Sequence, residues 1–154
     1  MDLNDDLGAR LGLAFQQMAG ELHAHLAEAG FTDLRQSFGF AFKLLARERL
    51  TTSQLAARMG VTHQGAAKTV EDMVAAGYVE RVPDPSDGRV RRLVLTERCR
   101  ALMASAHAFH QEFERRLTER LGPEHVAATR AVLDAIVARS DSRDGLERAL
   151  PPLA

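Results

Sequence analysis

The chain is 154 residues long, 45% hydrophobic, 5% aromatic and free of tryptophan. That size fits one domain with one core, and the composition is too apolar for a disordered chain. A formal net charge of −1 excludes a chain-wide polybasic nucleic-acid binder, so any such surface must be local.

The chain begins Met1-Asp2-Leu3-Asn4-Asp5-Asp6, acidic where a secretory signal would be basic, and no apolar run is long enough for a bilayer. A cytoplasmic protein is expected, with no membrane partner. From Leu3 onward, Leu7, Leu11, Phe15, Met18, Leu22, Leu26 and Ala29 recur in steps of three and four, which predicts one long helix closed by Gly30. Its narrow apolar stripe needs a partner. A second helix is expected over Thr32–Arg47, with Phe38, Phe42 and Leu45 on one face. Phe40 falls on the opposite face.

Two short helices follow. Thr51-Thr52-Ser53-Gln54 has capping-box spacing, Leu55, Ala56 and Met59 face inward, and Gly60 stops the helix. After Val61, Thr62 caps a helix whose inward residues are Ala66, Val70, Met73 and Val74, and Gly77 ends it. The period then changes to two: Tyr78–Val82 and Val90–Leu95 read as antiparallel strands around a loop of Pro, Asp and Gly. Thr96-Glu97 starts a long helix marked by Leu102, Phe109, Phe113, Leu117 and Leu121. Gly122-Pro123 breaks it, and a last helix carries Val126, Leu133, Ile136 and Val137. A short helix over Gly145–Leu150 would end at Pro151-Pro152. The class is therefore mainly α (α+β), with no internal repeat.

Helix, turn, helix and hairpin within residues 51–96 make a winged helix-turn-helix, which offers the first turn of its second helix to the major groove. Here that turn is Thr62-His63-Gln64-Gly65-Ala66-Ala67-Lys68. With Ala66, Val70 and Met73 inward, Gln64, Ala67, Lys68 and Glu71 point outward. A Gln64 amide suits adenine and Lys68 suits guanine or phosphate, while Gly65 and Ala67 keep the surface low. Residues 51–100 hold eight cations against six anions, a weak local excess.

In this order and spacing, Gln54-Leu55-Ala56, Val61-Thr62, Gly77-Tyr78-Val79-Glu80-Arg81, Asp87-Gly88-Arg89 and Leu95-Thr96 resemble the DNA-binding core of the MarR family of bacterial transcription regulators. The resemblance implies that Arg89 enters the minor groove from the wing tip and that Asp87 orients it. A narrow A·T-rich minor groove concentrates negative potential and suits one well-held guanidinium. Arg91 joins it as a DNA contact, although at least one of Arg91 and Arg92 should only solvate a strand face. With Ser53, Thr62, His63, Gln64, Gly65, Ala67 and Lys68, these residues form the expected DNA surface. His63-Gln64-Gly65 departs from the Arg or Ser-Arg-Pro of many relatives, so the operator does not carry over.

The resemblance further implies one domain over 1–154: dimerisation helices at 1–30 and 97–154, and a DNA-binding lobe at 31–96. It implies a homodimeric repressor on a palindromic double-stranded operator, released by a small aromatic or lipophilic effector. Arg10, Arg35 and Phe40 are the expected lining of the effector cleft.

Rival readings rest on fewer residues. His23, His25, His107 and His110 invite a zinc-responsive regulator, as in a few relatives, but His23 and His25 project about 200° apart on a helix. Surface or core roles are simpler, and no metal or cofactor is expected. Cys99, the single cysteine, cannot form an intramolecular disulfide and fits a reducing compartment. Its neighbours Arg98 and Arg100 would lower its pKa, yet packing is the simpler role. No G-x-S-x-G elbow, phosphate-cradling glycine loop or H-E-x-x-H motif supports an enzyme. A winged-helix protein-interaction module is the remaining alternative.

Overall fold

In the computed structural model, which describes residues 6–138, four of the six helices start behind a residue whose side chain caps them. The order is α1 (Leu7–Glu28), α2 (Phe38–Leu45), α3 (Thr52–Met59), α4 (His63–Ala75), β1 (Val79–Pro83), β2 (Arg91–Leu95), α5 (Glu97–Leu121) and α6 (Pro123–Val137). Asp6, Thr51, Thr62 and Thr96 each accept a backbone N–H from the first turn of the helix they precede. At Thr51 the box is reciprocal: its hydroxyl takes the Gln54 N–H at 3.2 Å and its own N–H donates to Gln54 Oε1 at 3.0 Å. Leu3, Arg139 and the tail from Ser140, with its expected helix at Gly145–Leu150, lie outside the described residues.

Helix ends are equally local in origin. After α4, the Gly77 N–H reaches the Val74 carbonyl and the Tyr78 N–H reaches the Met73 carbonyl, both at 3.0 Å. This closure needs a positive φ, which Gly77 supplies at 79° without a Cβ penalty. Tyr78 therefore belongs to the end of the helix rather than to the expected strand. Its ring is fully buried, and its hydroxyl donates to the Thr32 carbonyl at 2.6 Å.

The second helix is shorter than expected. Residues 32–37 are not helical, and α2 begins only at Phe38. Asp33 sits at φ 58°, a left-handed conformation that no α-helix continues through. The carbonyls of Gly30 and Thr32 are taken by Arg98 and Tyr78. Tertiary hydrogen bonds thus replace helical ones across this link.

The core centres on α2, α3, α4 and the hairpin, where Phe38, Phe42, Leu55, Val70, Met73, Tyr78 and Leu93 are all buried, and Leu26 of α1 and Cys99 and Leu102 of α5 complete it. The strands pair antiparallel, Val79 opposite Leu95 and Pro83 opposite Arg91. Leu93 and Leu95 turn inward from β2, and the Leu93 N–H donates to the Leu50 carbonyl at 2.8 Å. This bond docks the hairpin beside the start of α3. Thr96 fixes the exit, since its hydroxyl donates to the Gly77 carbonyl at 2.7 Å while accepting the Cys99 N–H.

Outside the lobe, burial is sparse. Leu26 is the only buried residue of α1, and α6 has none. Leu7, Leu13, Phe15, Leu117, Leu121, Val132, Leu133, Ile136 and Val137 are exposed, and Val61 is the sole exposed large apolar residue of the lobe. No helix among the described residues is long and apolar enough to cross a membrane.

Candidate nucleic-acid interface

The first turn of α4 is built by its cap. Thr62 Oγ1 accepts the Gly65 N–H at 3.1 Å, leaving other first-turn N–H groups without helical acceptors and the positive end of the helix dipole outward. Ala66, Val70 and Met73 are buried beneath, and His63, Gln64, Gly65, Lys68 and Glu71 are exposed on the other face. Ala67 is half-buried between them. A Cβ on Gly65 would stand 3.2 Å from Thr62 Oγ1, so a side chain there would press on the cap. Thr62, Gln64, Gly65, Ala67, Lys68 and Glu71 together line an open concavity of about 490 Å³. The structure thus brings together five of the expected DNA residues. His63 adjoins them in sequence, and Ser53 is exposed in the first turn of α3.

Lys68 is not electrostatically isolated. Its ammonium lies 3.7 Å from Asp72 Oδ1, and Arg35 pairs with Asp72 Oδ2 at 2.8 Å. Lys68 remains 72% exposed, so the carboxylate restrains it weakly.

The wing loop is organised by two aspartates. Asp87 Oδ1 accepts the Arg89 N–H at 3.0 Å, and the Val90 N–H closes onto the Asp87 carbonyl at 3.0 Å. Asp87 therefore orients Arg89 through its backbone, leaving the guanidinium in solvent. Asp84 Oδ1 accepts the N–H groups of Ser86 and Asp87 at 2.8 and 3.2 Å. Arg91 is exposed.

Arg92 behaves differently. Its Nε donates to Asp84 Oδ2 at 2.6 Å, and its Nη1 donates to Gln54 Oε1 at 2.9 Å and the Arg49 carbonyl at 3.3 Å. The hydrogen bond from Arg92, with those from the loop backbone, holds the Asp84 carboxyl below its ordinary pKa. Sequence reasoning left this network unseen. The signal was there in the register, because Val82 faces Arg92 and Asp84, two residues on, is its diagonal same-face neighbour.

The other singled-out residues fall elsewhere. Arg10 is exposed in the first turns of α1, and Phe40 is half-buried against the core edge. Neither they nor Arg35 line the larger groove of about 900 Å³. That groove runs between the segment after α2, the hairpin and the start of α5, where Leu45, Arg47, Val82, Val94, Arg100 and Met103 face it. It joins three separate segments, which no local pattern announces. His25 bonds Ser105 at 3.0 Å and packs on the Phe109 ring, linking α1 to α5. His23 and His107 are exposed, and burial, helped by Lys43 and His107, pushes the His110 pKa down. No three His, Cys, Asp or Glu side chains among the described residues are grouped to hold a metal ion. Cys99 is buried, and burial pushes its thiol up to about 12 against the smaller opposing pull of Arg100. The activating effect expected of its arginine neighbours is overridden.

A sequence model of the MarR family matches residues 41–90, from within α2 to the end of the wing loop. The transcriptional repressor CouR, solved on a 23-mer DNA duplex, superposes with a TM-score of 0.64 at 26% identity over 90% of this chain and 96% of its own. Segment and fold alike are thus similar to the MarR family. CouR from Rhodococcus jostii RHA1 bound to p-coumaroyl-CoA superposes on this chain at a TM-score of 0.61, with 24% identity over 100% of this chain and 99% of that one. An uncharacterized protein of Mycobacterium tuberculosis H37Rv is 29% identical over 119 residues, 77% of this chain and 80% of the relative. MarR-family proteins are transcription regulators and not enzymes, and the winged helix of this chain matches the fold of such regulators.

Proposed function

We propose that this chain is a MarR-family regulator, a homodimeric repressor that occludes promoters by binding a pseudo-palindromic operator in duplex DNA. The observation that carries the reading is the pairing of a capped, low-profile first turn on α4 with a wing loop whose aspartates hold Arg89 outward. In this reading Gln64 and Lys68 read base edges in the major groove, helped by His63. Ser53, Thr62 and the backbone at Gly65 and Ala67 set the approach, Arg89 enters the minor groove, and Arg91 meets phosphate.

Residues 31–96 form the DNA-binding lobe, and residues 1–30 and 97–154 form the dimer platform. Support comes from the apolar residues left exposed on α1, α5 and α6, Leu7 at 57% and Phe15 at 50% among them. Such a surface suits a two-fold partner. Release by a small aromatic or lipophilic anion completes the proposal, with Arg10, Arg35 and Phe40 as its contacts. CouR, solved with p-coumaroyl-CoA, is a relative of this fold with an aromatic acyl ligand.

Selection of duplexes from a random pool on the purified protein tests the reading. Enriched sequences should share an inverted repeat with half-sites roughly one helical turn apart. A pool that stays random would remove sequence-specific DNA binding, and a consensus without symmetry would remove the two-fold dimer.

A further inference from the structure

We propose that Arg92 is a positioning residue for DNA recognition: a strut that ties the wing to the start of α3 and so sets where Arg89 stands relative to the first turn of α4. The inference rests on the reading of the wing as a DNA contact.

A two-stranded hairpin is marginally stable alone, and its far end needs an external tie. The inner half of this hairpin has several: Leu93 and Leu95 in the core, the Leu93–Leu50 bond and the Thr96–Tyr78 bond. Beyond Leu93, the tie the structure offers is Arg92. One guanidinium reaches Asp84 in the wing loop, Gln54 in α3 and the Arg49 carbonyl ahead of α3. Asp84 is in turn the residue that folds the loop onto itself, through Ser86, Asp87 and the bond from its own N–H to the Val90 carbonyl at 2.9 Å. Gln54 is the capping partner of Thr51. Wing loop and helix start therefore share one cation.

The pair is also sheltered, with Arg92 26% and Asp84 12% exposed. A fully exposed ion pair would add little. A fork-shaped cation with several acceptors in a shielded place holds direction as well as distance. The exposed arginines Arg89 and Arg91 lack any such anchoring of their guanidinium groups in the bonds described.

The test uses the full chain on its selected operator, with Arg89→Ala, Arg92→Ala, their combination and Asp84→Asn. Arg89→Ala and Arg92→Ala should each weaken binding by roughly tenfold or more, and the double variant should lose little beyond Arg89→Ala alone. A cost of Arg92→Ala that persists undiminished beside Arg89→Ala would mean general destabilisation and overturn the strut. Asp84→Asn decides the sign and serves also if Arg92→Ala fails to fold. It frees a cation near the DNA, so a direct phosphate contact by Arg92 predicts tighter binding, whereas a strut predicts weaker binding. Tighter or unchanged binding overturns the proposal while Arg89→Ala remains weak. If Arg89→Ala itself binds like wild type, the wing assignment falls and the strut with it.

Discussion

Cys99 sits between two arginines and yet holds its proton far above the ordinary thiol range, because the cost of burying a thiolate exceeds the attraction of a solvent-screened guanidinium. Two consequences are measurable. An alkylating reagent at pH 8 should leave native protein unmodified over the time in which guanidinium-unfolded protein reacts fully, and rapid labelling of the native state would show the thiol to be accessible. The raised pKa also fixes a direction with pH. Folded and unfolded chains both hold the proton below about 9, but above it the unfolded chain gives it up first. Stability should fall as pH rises from about 9 toward about 12, more steeply in wild type than in Cys99→Ala. Parallel slopes would remove the thiol as the cause. At this scale the legible residues were those acting on near neighbours. Thr51, Thr62 and Thr96 announce themselves because a cap is satisfied within three residues. Arg92 did not, since its partners at positions 49 and 54 meet it only once the hairpin has docked, and Asp84 only through the register of the two strands.

Among the elements, most boundaries could be read because helix ends are chemical events within a few residues. Gly60, Gly77 and Gly122-Pro123 all stop helices as their sequence context indicates. The expected helix at Thr32–Arg47 failed for the converse reason. Nothing near Asp33 in sequence reveals that Tyr78 and Arg98, from two later elements, will claim the carbonyls of the link. The turn between α5 and α6 carries a prediction of its own. Gly122 lies at φ 95°, ψ 149°, a region open to glycine and little else, and an added Cβ would also crowd the Glu124 carboxylate. Gly122→Ala should therefore destabilise the chain by about 1–3 kcal/mol in urea unfolding at fixed concentration. An unchanged midpoint would mean that the turn relaxes freely, and that the angle between α5 and α6 is held elsewhere, for instance by the ion pair of Glu114 and Arg130.

For the whole molecule, the exposed apolar residues divide unevenly: α1, α5 and α6 carry nearly all of them, while the lobe carries Val61. The sequence showed the stripe on α1 but not its register with a second copy, since both surfaces belong to one repeated chain. Under the proposed dimer, light scattering should give twice the 16.9 kDa chain mass, and the melting temperature should climb with protein concentration. Phe15→Asp, a change at a side chain half-exposed in the single chain, should halve the mass while leaving helical content intact. A melting temperature independent of concentration, at the mass of one chain, would count against the platform.

Under the proposed dimer, that uncovered strip would also make the chain a counter of its own copies. If only pairs grip an operator, promoter occupancy follows the square of abundance at low copy number, so a modest dilution during growth opens the gene more than proportionally. The lone copies, with Leu7, Phe15 and Leu121 bare, are those that chaperones and proteases meet first. Turnover would clear the scarce end of the range and leave the plentiful end alone, giving the gene a threshold where a simple one-to-one binder would give it a slope.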